Sequence, residues 1–379
     1  MSIKTWVSGA LVSGLVAFSL ALPPVAASAK SAAATSSAKV IAKKKVPVAG
    51  RAIKAGKTFK AGKTLKASKL AISSPAKSRV VMRNGKRVVV RSPIVRVRYE
   101  PARPSIGQLS GLHKMTDALE LKSSVALVLD QDTNEVLFSK NAQAVLPIAS
   151  LTKLMTAVVV AEAGQPLDQV LSVEQSDVDT EKRSRSRLTV GTQLSREEML
   201  HLALMSSENR AAHVLGREYP GGVAAFVRAM NLKAVALGMT ATRFVEPTGL
   251  SSDNRSSARD LATLVKAAHA HPIIRQMSTS PSYEIDTGSR HLRFVNTNRL
   301  LSHADWDIGL QKTGYISEAG RCLVMQARLA GRDVIMIFLD SAGKYSRLGD
   351  AERVRRWIEE TAPAPAPEPV ATELPKITS

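Results

Sequence analysis

The pattern of apolar and polar positions places strand-like runs early and late in the chain, with helical patterns between them. The early runs, SVALVLD and EVLFSKN, flank the polar stretch QDTN and predict a β-hairpin. The late runs, RCLVMQARLA and DVIMIFLD, flank a turn at Gly331-Arg332 and predict a second antiparallel hairpin, buried on at least one face. The ordered fold is expected to begin between Ser105 and Leu121.

Between these hairpins, the spacing of apolar residues predicts helices with recognisable ends. Ser195 and Glu198 form a capping-box pattern at the start of LSREEMLHLALMSS. Ser257 is an N-cap residue with Asp260 three positions later, and Gly238 is a C-cap glycine for the helix before it. The predicted helices cover residues 151–163, 194–207, 209–219, 221–238, 256–270 and 351–360.

The order of these elements indicates the fold class. Strands come first and last, helices lie between them, and no alternation of single strands and helices is visible. We therefore expect an α+β domain over residues 106–360, in which early and late strands share one antiparallel sheet flanked by helices.

The first 29 residues have the pattern of a secretory signal peptide. Lys4 provides a positive charge, an apolar stretch follows over residues 6–22, and Ala-Ser-Ala at 27–29 fits a cleavage site. An uncleaved membrane anchor is the alternative, but the prolines and small residues before the site favour cleavage. No later stretch reaches the roughly 18 apolar residues that a membrane-spanning helix needs. We expect an exported protein with no stable anchor after cleavage.

The composition changes sharply after this signal. Residues 30–105 are rich in Ala and Lys and contain 21 basic residues but one acidic residue, so we expect a disordered cationic linker. A marginal hairpin around Asn84-Gly85 is the exception. Residues 106–379 contain 31 basic and 31 acidic residues, so the net charge of +21 comes from the linker and Lys4. The Pro- and Ala-rich tail, residues 361–379, is also expected to be disordered.

Three roles are open to the cationic linker. It could be a plain tether, it could contact anionic polymers of the cell envelope, or it could bind nucleic acid, because basic segments attract polyanions in a salt-dependent way. The export signal argues against nucleic acid. We favour a tether with weak polyanion contact.

The chain has one cysteine, Cys322, which excludes an internal disulfide and a zinc site built from several thiolates. The apolar residues around it predict a buried side chain. We expect neither a metal ion nor an organic cofactor.

Candidate chemistry begins at ASLTKLM, residues 149–155. A serine hydroxyl is a weak nucleophile that needs a base, and a helix starting at Ser150 would bring Lys153 onto the same face one turn later. Burial among Leu151, Leu154 and Met155 would lower the lysine pKa and allow it to accept the proton. Alone, this motif fits the N-terminus of an ordinary helix equally well.

Two further motifs favour the catalytic interpretation. SSEN places Ser207 and Asn209 at the junction of two predicted helices, and QKTGY places Lys312, Thr313 and Gly314 just before the strand RCLVMQA. The motifs S-x-x-K, S-D-N and K-T-G together characterise penicillin-binding proteins and class A β-lactamases. All three occur here in that order, with S-x-N in place of S-D-N.

At these residues the sequence resembles the low-molecular-mass penicillin-binding proteins, the serine D-alanyl-D-alanine carboxypeptidases and endopeptidases. The phrases PIASLTKLMTA, LMSSENRAA, PTGLSSDNRSSARDLA and LQKTGYISEAGRCLVM carry the resemblance, which extends over roughly residues 107–359. It is closest to the periplasmic D-alanyl-D-alanine endopeptidase branch. It implies a β-lactamase/transpeptidase-like fold with an all-helical subdomain, a periplasmic location, peptidoglycan stem peptides as substrates and β-lactams as covalent inhibitors. The implied process is cell wall biogenesis and the maintenance of cell shape.

The resemblance implies a catalytic role for three residues. Ser150 would attack the carbonyl of a D-alanyl peptide bond and form an acyl-enzyme, with Lys153 as its base. Ser207 would pass a proton to the leaving amine. The implied substrate-binding residues are Asn209, Lys312, Thr313, Gly314 and Tyr315.

The resemblance also implies what the substrate-binding residues do. Asn209 would bond Lys153 and the substrate amide, Lys312 would keep the site positive and help position Ser207, and Thr313 would contact a carboxylate. Gly314 would let the substrate backbone approach the strand. The backbone N–H groups of Ser150 and Tyr315 would form the oxyanion hole.

Some nearby residues are given a structural interpretation. Glu208 is expected to face solvent, because the S-x-N pattern asks nothing of its middle position. His201 and His213 lie on predicted helices and are expected to be structural or exposed. The stretch KRSRSR, residues 182–187, is expected to be a solvated loop that borders the cleft at most.

Three other functions remain open. A carboxypeptidase would remove terminal D-alanine, but the extra β domain and amphipathic C-terminal helix typical of that branch are not seen here. A class A β-lactamase needs a deacylating glutamate in an E-x-x-L-N loop, and Glu246 in EPTGLSSDN has a different register. A non-catalytic cell-wall-binding protein would not need all the catalytic positions that this chain retains.

Overall fold

The computed structural model describes residues 78–91, 103–288 and 290–362. The predicted signal peptide, most of the cationic linker and almost all of the Pro- and Ala-rich tail lie outside these residues. The strands are β1 Ser78–Arg83, β2 Lys86–Arg91, β3 Ser123–Asp130, β4 Val136–Lys140, β5 Leu146–Pro147, β6 Val170–Ser172, β7 Gln193–Ser195, β8 Arg255–Ser256, β9 Ser282–Asp286, β10 His291–Val295, β11 Asp307–Ile316, β12 Gly320–Leu329 and β13 Arg332–Ser341. The α-helices are α1 Ile106–Leu109, α2 Thr152–Glu162, α3 Arg196–Met205, α4 Asn209–Arg217, α5 Gly222–Ala236, α6 Ala258–His269, α7 Pro272–Thr279 and α8 Ser346–Thr361.

The predicted hairpin in the linker region is present as the antiparallel pair β1–β2. Asn84 and Gly85 both have positive φ angles, 52° and 71°. Two consecutive left-handed residues match the right-handed twist of the flanking strands, which is why Asn-Gly favours this turn.

The main sheet has five antiparallel strands in the order β11-β12-β13-β3-β4. The early hairpin and the late strands therefore share one sheet, as the sequence predicts. Strand alternation divides their side chains between two cores: Val125 and Leu127 face one, and Ala126 and Val128 face the other. Both faces of the sheet are covered, so the neighbouring strands β13 and β3 read as continuous apolar runs.

The larger core lies between the sheet and the helices α2 to α7, and the smaller one lies under α8. Every residue from Thr152 to Val160 in α2 is buried, so this helix runs through the interior of the domain. The residues at its N-terminus are consequently held by surrounding chain on several sides.

The helix ends follow the predicted capping chemistry. Ser195 accepts from the Glu198 backbone N–H within a capping box, and Ser257 accepts from the Asp260 N–H. Gly238 follows α5 with a positive φ of 73°, as its predicted C-cap position requires.

Two predicted boundaries are wrong in detail. The turn between β12 and β13 consists of Ala330 and Gly331, both with positive φ, and Arg332 already belongs to the strand. The Lys312-Thr313-Gly314 motif does not merely precede a strand but lies inside the edge strand β11. In the described part of the chain, no helix combines the length and apolarity needed to span a bilayer.

Candidate active site

The turn that carries Ser150 is strained and tightly held. Ala149, Ser150 and Leu151 form a 3₁₀ turn leading into α2, and Ala149 has a φ of 48°, unusual for a residue with a side chain. The Thr152 hydroxyl donates to the Ala149 carbonyl oxygen at 2.9 Å, which fixes this turn from within. Ser150 itself is only partly buried.

Two glycines hold the Ser150 turn from outside. Gly249 has a φ of 84°, and a Cβ added there would overlap the Ala149 carbonyl group and lie 2.8 Å from the Ser150 nitrogen. A Cβ on Gly314 would lie 3.2 Å from that nitrogen. Gly314 therefore lets strand β11 approach the Ser150 turn, which is a different requirement from the substrate approach expected from the sequence.

Lys153 is brought to the Ser150 hydroxyl by the helical spacing that the sequence predicts. Its ammonium nitrogen Nζ lies 3.1 Å from Ser150 Oγ, 2.7 Å from Asn209 Oδ1 and 2.6 Å from the Thr248 carbonyl oxygen. Lys153 is completely buried. The Asn209 and Thr248 oxygens hold Lys153 Nζ beside the Ser150 hydroxyl.

Burial lowers the pKa of Lys153 to about 8, although the negative charges of Glu246 and Glu208 act in the opposite direction. A pKa near 8 leaves about a tenth of the lysine neutral at pH 7, and a neutral amine can accept a proton. The arrangement therefore has the chemistry of a nucleophile with an adjacent base.

Ser207 lies in the connection between α3 and α4 and Asn209 is the first residue of α4, so both lie at the predicted junction of two helices. Ser207 has a φ of 62°, and such a backbone outlier is common at functional sites. Asn209 accepts from Lys153 through Oδ1 and donates through Nδ2 to Ser184 Oγ at 2.9 Å. Ser184 belongs to the KRSRSR stretch, so that stretch supports the site and does more than border it.

The residues of β11 form the other wall of the site. Lys312 is completely buried and donates to the Thr313 carbonyl oxygen at 3.0 Å. Burial, followed by repulsion from Lys153 and Arg347, holds the pKa of Lys312 well below its usual value. Thr313 Oγ1 lies 2.7 Å from Thr297 Oγ1. Among the described residues Lys312 has no hydrogen bond to Ser207, the residue that it was expected to position.

Glu208 does not face solvent, contrary to the expectation from the sequence. It is 9% exposed, and burial raises the pKa of its carboxyl, while a hydrogen bond from Ser186 opposes the shift. Charged side chains are seldom buried, which explains the wrong prediction. Its position lets Glu208 contribute to the field at Lys153.

Glu246 supports the loop beside Ser150. Its carboxylate accepts the backbone N–H groups of Thr248 and Gly249, both at 2.6 Å, and the Asn254 side-chain amide at 2.7 Å. These bonds fix the loop that presents the Thr248 carbonyl to Lys153 and Gly249 to the Ser150 turn. No role is predicted from the sequence for Thr248 or Gly249, although the phrase PTGLSSDN contains both residues.

A cavity of about 200 Å³ adjoins Asn209, Glu246 and Thr248. His213 also lines it and lies 2.6 Å from Asp177, which pairs with Arg217 as well, so this histidine has a structural partner. Within the described residues, no group of three or more His, Cys, Asp and Glu side chains could hold a metal ion.

A family comparison agrees with this geometry. Residues 112–343 match the family model described as D-alanyl-D-alanine carboxypeptidase. The chain belongs to this family, and it is therefore a serine-type D-Ala-D-Ala peptidase, a hydrolase of the penicillin-binding protein class.

Two similar proteins are named as endopeptidases. The chain is similar to the D-alanyl-D-alanine endopeptidase of Pseudomonas aeruginosa, with 52% identity over 244 residues that cover 63% of this chain and 78% of the relative. It is also similar to the D-alanyl-D-alanine endopeptidase of Escherichia coli, with 47% identity over 251 residues, covering 65% and 81%. A solved structure of penicillin-binding protein D2 from Listeria monocytogenes, in the cefotaxime-bound form, matches at 32% identity. Its TM-score is 0.58, and the match covers 64% of this chain and 98% of that one.

Proposed function

We propose that this protein is a D-alanyl-D-alanine endopeptidase that cleaves peptide crosslinks in peptidoglycan through an acyl-enzyme. The observation that carries the chemistry is the buried Lys153, whose Nζ lies 3.1 Å from the hydroxyl of the partly buried Ser150. The two similar relatives named as endopeptidases support the choice of bond, since relatives named as carboxypeptidases are more distant.

The first half of the reaction forms an ester. Neutral Lys153 takes the Ser150 proton as Oγ bonds to the carbonyl carbon of a D-alanyl residue, and the C–N bond then breaks. Ser207 passes a proton to the leaving amine, and water later hydrolyses the ester. Asn209 orients Lys153 through the 2.7 Å hydrogen bond.

The two walls of the site, the Ser150 turn and strand β11, provide electrostatic stabilisation in the mechanism. The backbone N–H groups of Ser150 and Tyr315 stabilise the oxyanion; removing one such donor typically costs about 10²- to 10³-fold in kcat. Lys312 keeps the site positive, and Thr313 contacts a carboxylate of the substrate. Because β11 is an edge strand, an extended peptide can pair with its free backbone groups.

The same geometry argues against β-lactamase activity. A deacylating glutamate must activate water, but Glu246 accepts backbone N–H groups and the Asn254 amide, which stabilise its charged form and occupy its oxygens. A β-lactam should therefore acylate Ser150 and remain attached. Rapid turnover of benzylpenicillin by the purified protein would contradict this.

One digestion distinguishes the endopeptidase from the carboxypeptidase. Purified protein is incubated with crosslinked muropeptide dimers and, separately, with pentapeptide monomers, and the products are identified by mass spectrometry. We expect conversion of dimers to monomers with little release of terminal D-alanine. Release of D-alanine with intact dimers would mean that the protein is a carboxypeptidase.

The pH dependence tests the role of Lys153. Because burial lowers the pKa of Lys153 to about 8 and the neutral amine is the base, kcat/KM should rise with pH to about 8 and then level off. Glu208→Gln removes a negative charge that raises this pKa, so it should move the rise to lower pH. An activity that falls as pH increases from 6 to 8 would exclude Lys153 as the base.

The location and the terminal segments belong to the same proposal. Peptidoglycan as substrate supports export to the bacterial envelope, with residues 1–29 as signal peptide and residues 30–105 as a cationic tether. The tail, residues 361–379, would then extend from the peptidase domain, residues 106–360. Mass spectrometry of the protein recovered from the periplasm tests the cleavage: a mature chain should begin at Lys30.

A further inference from the structure

A cluster of basic and aromatic side chains lies beside the site, at the end of β11. Arg321 stacks over the Tyr315 ring with its guanidinium carbon 4.5 Å from the ring centroid. Arg299 and Lys344 lie 5.3 and 5.2 Å from the centroid of Tyr345. We name these five residues the cationic rim.

The cations of the rim have no acidic partner in the described part of the chain. Among the described residues, no carboxylate lies within ion-pair distance of Arg299, Arg321 or Lys344. Glu318, in the turn between β11 and β12, is paired with Lys182 at 2.5 Å. Tyr315 and Tyr345 are 55% and 47% exposed, so both rings that hold the cations are also open to solvent.

The two cation–aromatic groups of the rim lie close enough for their charges to interact. A hydrogen bond with Lys344 and the positive charges of Arg299, Lys344 and Arg321 lower the pKa of the Tyr345 hydroxyl. Arg347 is almost completely buried in the same region, and burial together with repulsion from Arg321 lowers its pKa. The positive charge is therefore concentrated and, within the part of the chain that the structure describes, is not paired with an acid, which suits an anionic ligand.

The rim begins directly beside the reacting atoms. Tyr315 follows Gly314, whose added Cβ would lie 3.2 Å from the Ser150 nitrogen, and successive Cα atoms are about 3.8 Å apart. Thr313 and Tyr315 are two positions apart in a strand and share one side of it. A substrate held along β11 would thus reach the rim without leaving the strand.

The proposed mechanism gives the substrate a direction along β11. The carboxylate of the leaving side contacts Thr313, and the scissile carbonyl points at the N–H of Tyr315. The part of the substrate on the other side of that carbonyl, the acyl-donor stem, therefore continues past Tyr315. We infer that the cationic rim binds carboxylates of the acyl-donor stem peptide and so favours native, acidic stems over neutral ones. This inference rests on the proposed function.

The test compares native muropeptide dimers with dimers whose stem carboxylates have been amidated. Replacing the rim cations together, Arg299→Gln, Arg321→Gln and Lys344→Gln, should lower kcat/KM on native dimers about five- to tenfold, since each exposed ion pair contributes about twofold. Amidated dimers should be cleaved equally by the variant and the original protein. High salt should reduce the preference for native dimers in the original protein only.

Three controls separate this role from general damage. Acylation by benzylpenicillin, which lacks the stem carboxylates, should be unchanged. The double variant Arg299→Gln, Lys344→Gln does not touch Tyr315 and should show an intermediate loss. A matched triple variant, Arg228→Gln, Arg243→Gln and Arg259→Gln, removes the same charge from exposed residues elsewhere and should behave like the original protein.

The outcomes are distinct. Equal losses on native dimers, amidated dimers and benzylpenicillin would mean that the rim is structural, and no loss on native dimers would also overturn the inference. Weaker binding to anionic phospholipid vesicles with unchanged cleavage would make the rim a membrane contact instead. If the original protein releases only terminal D-alanine, the endopeptidase proposal fails. The same comparison on native and amidated pentapeptides then still tests the rim.

Discussion

Replacing Ser150 by alanine is expected to abolish catalysis, with a loss of about 10⁴-fold or more in kcat/KM on crosslinked muropeptides. The substitution removes the atom that would form the ester and leaves Lys153 with no hydroxyl to deprotonate. The variant should also fail to gain the mass of benzylpenicillin in intact-protein mass spectrometry. Both measurements depend on Ser150 Oγ, which lies 3.1 Å from Lys153 Nζ.

The Ser150→Ala variant should remain folded, because the alanine replaces a partly exposed side chain and the Thr152 bond to the Ala149 carbonyl remains. Its thermal midpoint should lie close to that of the original protein. Ser302→Ala, in an exposed turn, is the matched control and should retain activity. Substantial dimer cleavage by Ser150→Ala, with no contaminating peptidase, would rule out Ser150 as nucleophile.

Replacing Gly249 by alanine is expected to disable the site without touching any reacting group. The new Cβ would overlap the Ala149 carbonyl group and press on the Ser150 nitrogen, so the turn must move. A displacement of about 1 Å in an active site can cost about 10²-fold in rate. We expect at least this loss in kcat/KM, together with a destabilisation of about 2–5 kcal/mol, from about 1–2 of left-handed strain plus about 1–3 of overpacking.

Gly191→Ala separates backbone strain from the clash. Gly191 has a φ of 87°, close to that of Gly249, but a Cβ there would meet nothing within 4 Å. This variant should be destabilised by about 1–2 kcal/mol and retain nearly full activity. Denaturant unfolding and dimer digestion measure the two effects. If both variants lose activity equally, the contact between Gly249 and the Ser150 turn does not explain the loss of activity in Gly249→Ala.

Much of the fold follows from the sequence because the neighbouring strands β3 and β13 are apolar on both faces. SVALVLD and DVIMIFLD are continuous apolar runs, and the structure places them side by side in the centre of the sheet. Strand β11 is different: Gln311, Lys312 and Thr313 are buried polar residues in its middle. Such a segment has no apolar pattern, so a strand could not be predicted there.

Two kinds of signal predict contacts in the candidate site: helix geometry for Ser150 and Lys153, and the family resemblance for Lys153 and Asn209, which lie 56 positions apart. Ser150 and Lys153 are neighbours on one helical turn, and their contact follows from helix geometry. The Thr248 carbonyl that receives Lys153 lies 95 positions away, and its role depends on a backbone atom that any residue could supply. Glu208 was misjudged for a related reason: its burial depends on packing against Ser186 and on nearby Lys153, not on local pattern.

The two-sided support of the Ser150 turn has a consequence for biosynthesis. The strained turn is completed by a loop carrying Gly249 and by a strand carrying Gly314, both synthesised long after Ser150. A partially synthesised or unfolded chain therefore has the nucleophile but not the geometry that activates it. Hydrolytic activity therefore requires that both of these long-range contacts have formed.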